Sequence, residues 1–399
     1  MHSAYRWRLL AVTAGLYVGF GLVAASLAPI VGPISDDLGL SRSQMGTVLG
    51  AWQFVYLGAA IPAGKFIDRV GLRTGLSTGI ALIAMSGLLR AGAGGWLPML
   101  AAVGIFGLGG PLVSVGAPTL VSSWFPPNER GLATGIAVSG PVIGSMITLL
   151  TANSLLMPAF DDQWRFVVLV FTGIAILLGC AFWVVTASPP GDVPNPWERV
   201  RKGNASTREL LRVPIVRTIL LLAVLTFFVN HAMGNWLPEI LRDHGLSPAS
   251  AGFWAAIVSI PGLIAGIGLP RLAQPHRRRP MLMTSYMLLS LALVPLALGW
   301  GPLTALGVLV YGAMRSAVLP VAMLFLMDDD RVGPANMAAA SALYFTAGEI
   351  GGVSGPVVVG ILADQQGFGA AVGVLAAVAL LLVAVSGLIR PVAKSGLPA

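Results

Sequence analysis

The 399-residue chain is 56% hydrophobic and only 10% charged, whereas soluble proteins carry about 25% charged residues, so the composition predicts a membrane protein. The formal net charge of +8 does not indicate nucleic-acid binding, because the sequence contains no basic soluble domain to do the binding. The single cysteine, Cys180, excludes an intrachain disulfide and a cysteine-based zinc site, and the four histidines lack metal-ligand spacing. No metal or cofactor is expected, other than a proton or ion gradient.

Long apolar runs follow one another along the chain. A membrane-spanning helix needs about 20 mostly apolar residues. Helices are the structures that satisfy their own backbone in lipid at these lengths. The sequence predicts twelve spans, at 9–34, 45–67, 73–92, 97–123, 130–157, 164–187, 213–238, 248–270, 280–299, 301–327, 334–361 and 367–389. We therefore expect an all-α membrane protein with twelve transmembrane helices.

The basic residues predict the orientation of these spans, because cytoplasmic loops carry an excess of Lys and Arg. With the N-terminus inside, 19 of the 24 basic residues fall on the cytoplasmic side. The opposite side receives Arg42, Arg90, Arg165 and Arg242, and Arg315 remains within a span. Both termini are therefore predicted to be cytoplasmic, in a multi-pass protein of the cell membrane, the inner membrane in a bacterium.

A polar interruption divides the chain into six spans and six spans. It reads ASPPGDVPNPWERVRKGNASTREL and covers residues 187–210. Its Pro, Gly and basic residues are typical of a linker. We expect an N-terminal six-helix bundle at 1–187, a cytoplasmic linker at 188–211 and a C-terminal six-helix bundle at 212–399.

The two halves resemble each other in sequence. The pattern GLSxxxxG occurs at 39–46 and at 245–252, an offset of 206. VSGPVIG at 138–144 and VSGPVVVG at 353–360 recur at an offset of 215. Each pair falls at equivalent places in the two halves, which predicts a duplicated, pseudo-symmetric six-helix unit. Parallel repeats of this kind imply alternating access around a site between the halves.

Proline and glycine mark two corresponding spans. Pro29 and Pro33 lie near the end of span one, and Gly234 and Pro238 lie near the end of span seven. These residues are expected to weaken both helices near their outer ends. The corresponding positions predict outer gates.

The stretch GKFIDRVGLRTGL, which begins at Gly64, follows span two. Gly71 permits a tight turn, and Asp68 can accept charge-assisted hydrogen bonds from an arginine or a helix N-terminus. The stretch resembles the signature of the major facilitator superfamily, with Gly64, Asp68, Arg69, Gly71 and Arg73 at its main positions. The resemblance implies that this acid helps to latch the two halves on the cytoplasmic side.

The resemblance covers essentially the whole chain. SSWFPPNERGLATG at 122–135 is similar to the loop after span four of the superfamily, and with the Pro- and Gly-rich pattern it resembles carriers of small organic anions, including the cyanate and nitroimidazole branch. Two patterns depart from the family. Val103 and Phe106 stand where many proton-coupled members have R-x-x-Q-G, and Ile136 makes the antiporter-type motif before Gly140 only a partial match.

Polar residues inside the predicted spans are the candidates for substrate binding or coupling, since polar groups in a membrane are costly. The N-terminal half offers uncharged groups, namely Tyr17, Gln53, Tyr56, Ser114 and Ser139. The C-terminal half offers Asn230, His231, Asn235, Arg315, Tyr344 and Glu349. At the offset of 215, Thr134 aligns with Glu349, so the carboxyl group is specific to one half.

Three interpretations of Arg315 and Glu349 stay open. They can form a silent structural ion pair between neighbouring helices. Arg315 can anchor an anionic substrate, because its planar donor fork fits a carboxylate and stays charged. Glu349 can be a proton site, because burial favours the neutral form of a carboxyl group. The last two can coexist, and His231 is more often a hydrogen-bonded interior histidine than a coupling residue.

Helix geometry predicts that the Glu349 side chain can face a cavity. Gly348, Gly351, Gly352 and Gly355 cluster on one helix face, where small residues allow close packing. Glu349 is rotated by about 100° from Gly348, so it flanks this ridge rather than lying on it.

These features predict a secondary active transporter of a small solute, an organic anion, that works by alternating access with proton coupling as an option. An exporter of amphipathic drugs or metabolites is the alternative within transport. A transport-dead sensor or scaffold is the alternative of another class, although the linker is too short for an output domain. No catalytic fingerprint supports an enzyme. The expected partners are the substrate and the lipid bilayer, without nucleic acid, and the expected state is a monomer.

Overall fold

The structure is a computed structural model that describes residues 2–125, 129–187, 207–329 and 331–389. Within these ranges the side chains of some helical residues, including Asp68, Arg130 and Thr134, are not described. All regular elements in the described ranges are helices, which agrees with the predicted all-α class. Most of the predicted linker, residues 188–206, lies outside the described residues.

The helices are, in chain order, α1 His2–Ala25, α2 Val31–Leu38, α3 Arg42–Val70, α4 Leu72–Ala91, α5 Trp96–Trp124, α6 Arg130–Thr151, α7 Met157–Ala159, α8 Trp164–Val185, α9 Thr207–Leu210, α10 Pro214–Asp243, α11 Pro248–Ile257, α12 Ser259–Leu272, α13 Arg278–Leu298, α14 Pro302–Asp328, α15 Gly333–Gln366 and α16 Phe368–Gly387. A 3₁₀ turn at Ala28–Ile30 joins α1 to α2, and a π turn at Ala152–Leu156 joins α6 to α7.

Eleven stretches of the described chain are long and apolar enough to cross a membrane, judged by length and composition. They coincide with eleven of the predicted spans. The remaining predicted span, 45–67, lies within α3, which is a continuous helix of 29 residues but is less apolar. Trp52, Gln53 and Tyr56 interrupt its aliphatic residues. The total of twelve spans and the cytoplasmic placement of the termini stay predictions.

The described residues group into two compact units. The first comprises those within Met1–Arg201 and Asn235–Ala256, and the second those within Lys202–Gly234 and Ile257–Ala399. The C-terminal part of α10 and nearly all of α11 therefore group with the N-terminal helices. The division into bundles at 1–187 and 212–399 stays a prediction.

The GLSxxxxG repeat has the same local structure at both places. Gly39 and Gly245 adopt positive φ angles of 63° and 89°, a conformation that glycine reaches without strain. The serine two residues later then caps the next helix. Ser41 Oγ accepts the Gln44 N–H at 3.1 Å, and Ser247 Oγ accepts the Ser250 N–H at 3.2 Å. The repeat therefore encodes the same joint before α3 and before α11.

The VSGP repeat also has one packing role. In the first unit a Cβ on Gly140 of α6 would meet the backbone of α1, including the Ala14 carbonyl oxygen at 2.8 Å. In the second unit a Cβ on the equivalent Gly355 of α15 would meet the Phe228 carbonyl oxygen of α10. Glycine at these positions lets each helix pack closely against the first helix of its half.

The two helices predicted to be weakened by proline differ in the structure. The prediction is confirmed for span one, since α1 ends at Ala25 and the helix resumes as α2 at Val31. It is wrong for span seven, because α10 is uninterrupted through Pro238. Trp236, Leu237 and Ile240 around this proline are buried, so packing holds the helix together there.

Candidate functional site

Glu349 is an acid among the predicted site residues whose side chain is buried. It lies on α15 in the second unit and is 6% exposed. Its Oε2 atom lies 3.9 Å from Nε2 of His231 on α10, which is beyond hydrogen-bond distance. No donor among the described residues hydrogen-bonds to this oxygen. As predicted from the glycine spacing, Glu349 lies beside a ridge on which Gly348 and Gly351 pack against α10.

Aromatic rings line the same two helices one turn away. Phe227 lies 5.5 Å from the His231 ring and 5.8 Å from the Tyr344 ring, measured between centroids. Phe345 lies 5.7 Å from Tyr344 and 6.1 Å from Phe227. Tyr344, a predicted site residue, is only 1% exposed and belongs to the core of the second unit. Phe345, which the sequence did not single out as a site residue, is the exposed member of this group.

Arg315 lies on α14 in the second unit and is half-buried. Its guanidinium carbon is 6.0 Å from the centroid of the Tyr311 ring. No ion pair within 4.0 Å joins Arg315 to Glu349 or to another acid among the described residues. Arg315, His231 and Glu349 thus belong to one unit and come from three different helices.

The remaining candidates on α10 are divided between the units. Asn230 is half-buried in the second unit, and its Oδ1 atom accepts no hydrogen bond from the described residues. Asn235 groups with the first unit. The two residues lie five positions apart on the uninterrupted helix α10 but group with different units.

In the first unit one of the predicted polar candidates, Tyr17, joins two helices. The Tyr17 hydroxyl donates to the carbonyl oxygens of Val113 at 2.6 Å and of Ser114 at 3.1 Å, which ties α1 to α5. Gln53 is fully buried. Because the Tyr17 hydroxyl already bonds to the backbone, its contacts here are those of a structural residue.

The predicted gate motif spans the joint between α3 and α4. Gly71 separates the two helices with a φ of 84°, and its N–H donates to the Ile67 carbonyl at 2.9 Å. Arg73 donates to the Thr186 hydroxyl and the Trp183 carbonyl, both at 3.0 Å. Gly64 and Arg69 lie in the last part of α3. The structure does not describe the side chain of Asp68, so the latch role of this residue stays a prediction.

Arg90 is a residue whose environment the sequence analysis missed. The count of basic residues assigns it to the outer side, which stays a prediction, and in the structure it is 1% exposed inside the first unit. Its Nη1 donates to the Val23 carbonyl at 2.7 Å and to the Ser26 hydroxyl at 3.1 Å, where α1 ends. A cation at a helix C-terminus satisfies its last carbonyls and the helix dipole. The helix break predicted from Pro29 was the feature of the sequence that could have indicated a side chain capping the end of α1.

The comparisons with known proteins decide the family. A sequence model of the Major Facilitator Superfamily matches residues 13–356 and 237–399. The chain belongs to this superfamily. The resemblance seen in the sequence is therefore confirmed, and the protein is a multi-pass membrane transporter rather than an enzyme.

Named relatives are similar over most of their length. A D-galactonate transporter of Escherichia coli O6:H1 is 24% identical, over 90% of this chain and 89% of that protein. A hexuronate transporter of Bacillus subtilis (strain 168) is 26% identical, over 84% of this chain and 82% of that protein. A putative tartrate transporter of Agrobacterium vitis is also 26% identical, over 84% of this chain and 81% of that protein.

Solved structures share the fold. A bacterial homologue of the human lysosomal transporter Spinster aligns with a TM-score of 0.78 at 15% identity and covers 96% of both chains. A D-xylose–proton symporter aligns with a TM-score of 0.73 at 17% identity and covers 97% of this chain and 98% of that one.

Proposed function

We propose that this transporter moves a small organic anion across the membrane by alternating access, in symport with a proton. In this proposal Arg315 binds the carboxylate of the substrate and Glu349 carries the coupled proton. The proposal rests on one observation above all. The Glu349 carboxyl group is buried, its Oε2 atom lacks a hydrogen-bond donor among the described residues, and His231 lies 3.9 Å away.

The names of the relatives support an anionic substrate. Galactonate, hexuronate and tartrate are all carboxylates that carry several hydroxyl groups. A guanidinium can donate two parallel hydrogen bonds to a carboxylate, and Arg315 has no acidic partner within ion-pair distance in the described chain. Substrate hydroxyls can donate to buried acceptors such as Asn230 Oδ1 and Glu349 Oε2. We therefore favour hydroxy carboxylates as the substrate class.

The surroundings of Glu349 support proton coupling. Burying an ionised carboxylate without hydrogen-bond donors costs free energy, and protonation of Glu349 removes that cost. A neutral Glu349 also leaves the positive charge of Arg315 available to an anion, whereas an ionised Glu349 would repel that anion. Proton and anion binding then favour each other, which is the reciprocal coupling that a symporter needs.

Ligand binding to the purified protein tests the anion site. We expect hydroxy carboxylates to raise the midpoint of thermal unfolding. The best of them should bind Arg315→Ala at least a hundredfold more weakly, since each of the two hydrogen bonds to the charged group contributes about 1.5–3 kcal/mol. Arg217→Ala is the matched control, because Arg217 is an exposed arginine on α10. Unchanged affinity in Arg315→Ala would remove Arg315 as the anchor. A response to amphipathic compounds alone would favour the exporter instead.

A further inference from the structure

An apolar groove runs along the surface of the first unit between α4 and α8. It has a volume of about 490 Å³. Small side chains leave the space open, among them Ala81 on α4 and Gly179 and Cys180 on α8, while Met85, Leu88 and Trp183 form its sides. Where a Cβ on Gly179 would lie, the nearest atom is the Ile80 side chain at 3.1 Å, so the helices approach closely beneath the groove.

The position of the groove shows what surrounds it. Both helices belong to stretches long and apolar enough to cross a membrane, Leu72–Ala91 and Trp164–Val185. Met85, Leu88 and Trp183 are each more than 40% exposed, so this surface faces outward from the protein. An occupant at this depth must itself be apolar, because hydrocarbon surrounds the protein there.

A cation closes one end of the groove. Arg73 lies one helical turn before Ser77, a residue of the lining, and its guanidinium carbon is 3.9 Å from the centroid of the Trp183 ring. Its hydrogen-bond partners among the described residues are neutral, the Thr186 hydroxyl and the Trp183 carbonyl. The positive charge at this end of the groove therefore has no acidic partner within ion-pair distance in the described chain.

We propose that this groove binds one anionic phospholipid of the bilayer, with an acyl chain between α4 and α8 and the phosphate on Arg73. The guanidinium fork fits phosphate oxygens, and stacking on Trp183 fixes its orientation. Arg73 also lies on the side predicted to be cytoplasmic, where lipid headgroups are negatively charged. A zwitterionic lipid also presents a phosphate to Arg73, but its ammonium group offsets that charge, so an anionic lipid should bind more tightly.

Native mass spectrometry of the full chain tests the site with two probes, dioleoyl phosphatidylglycerol and dioleoyl phosphatidylcholine. We expect the anionic lipid to bind roughly fivefold more tightly, which is the effect of a single basic residue at an anionic surface. Arg73→Gln should remove this preference, and Arg73→Lys should keep most of it. Ala81→Trp should fill the groove and abolish the bound species, whereas Leu89→Trp, which introduces the same side chain at an exposed α4 position outside the lining, should not.

Cys180 gives the location independently, since it is the single cysteine of the chain and lines the groove. Phosphatidylglycerol should slow its alkylation by N-ethylmaleimide more than phosphatidylcholine does. Equal affinity for the two lipids, or unchanged phosphatidylglycerol binding in Ala81→Trp, would overturn the proposal. Loss of a dimer species in Ala81→Trp, with lipid binding retained, would assign the groove to a second copy. If Arg73→Gln does not fold, lipid binding by the Ala81→Trp and Leu89→Trp variants and the rate of Cys180 alkylation still test the proposal.

Discussion

Replacing Gly144 with alanine is expected to weaken the packing of α1 against α6. The added Cβ would meet the Val18 carbonyl oxygen and would lie 2.7 Å from the Leu22 backbone nitrogen. Both are backbone atoms, so the helices must separate. Overpacking of this kind typically costs about 1–3 kcal/mol, whereas alanine gains at most about 1 kcal/mol over glycine in a helix. The cost of the clash therefore exceeds the gain in helix propensity from alanine. We expect a net loss of about 1–2 kcal/mol in the free energy of unfolding.

Gly135→Ala is the matched control on the same helix. Its added Cβ finds no atom of the described chain within 4 Å, so only the gain in helix propensity remains. Unfolding of both variants in one detergent, followed by circular dichroism against temperature, should lower the midpoint for Gly144→Ala and leave it equal or higher for Gly135→Ala. Gly355→Ala should also lower the midpoint, because its added Cβ would meet the Phe228 carbonyl oxygen of α10. Shifts of the same sign in Gly144→Ala and Gly135→Ala would refute the packing argument.

Two further predictions concern single side chains. Tyr17→Phe should lower stability by about 0.5–1.5 kcal/mol through the lost bonds from α1 to α5, and should leave substrate affinity unchanged; a tenfold drop in affinity would make Tyr17 a binding residue instead. Hydrogen bonds from Arg331 hold the pKa of Asp329 below its usual range. This stabilisation is present above the ordinary pKa of the carboxyl group and is lost as the pH falls through the lowered value, so part of the acid-induced drop in unfolding midpoint should be absent in Asp329→Asn.

Much of the fold could be predicted because each membrane helix is encoded by a long apolar run in the sequence. The backbone N–H and C=O groups of such a run must hydrogen-bond to one another, which a helix allows. The repeats also had local causes: Ser41 and Ser247 cap helices, while Gly140 and Gly355 let helices pack closely. Such roles depend on neighbouring residues in the sequence or on the spacing of residues along a helix, so they can be predicted from one sequence.

Contacts between distant residues were not predictable in the same way. A polar side chain in a span can face a cavity or bond to another helix, and the partner of Tyr17 is 96 residues away. A count of basic residues assigns Arg90 to one side of the membrane but does not predict that its side chain is buried. Its true partners, Val23 and Ser26, exist only where α1 breaks. Glu349 could be placed beside a glycine ridge by helix geometry, but its proximity to His231 required the packing of α15 on α10.

Transport by Glu349→Gln in proteoliposomes tests the proposed coupling most directly. A variant that cannot release a proton should lose uptake of the anion driven by a pH gradient and should retain counterflow, in which labelled substrate exchanges for unlabelled substrate without net proton movement. Asp364→Asn, the same change at an exposed position of α15, should retain both activities. Gradient-driven uptake that is undiminished in Glu349→Gln, at equal amounts of reconstituted protein, would contradict a proton-carrying role for this residue.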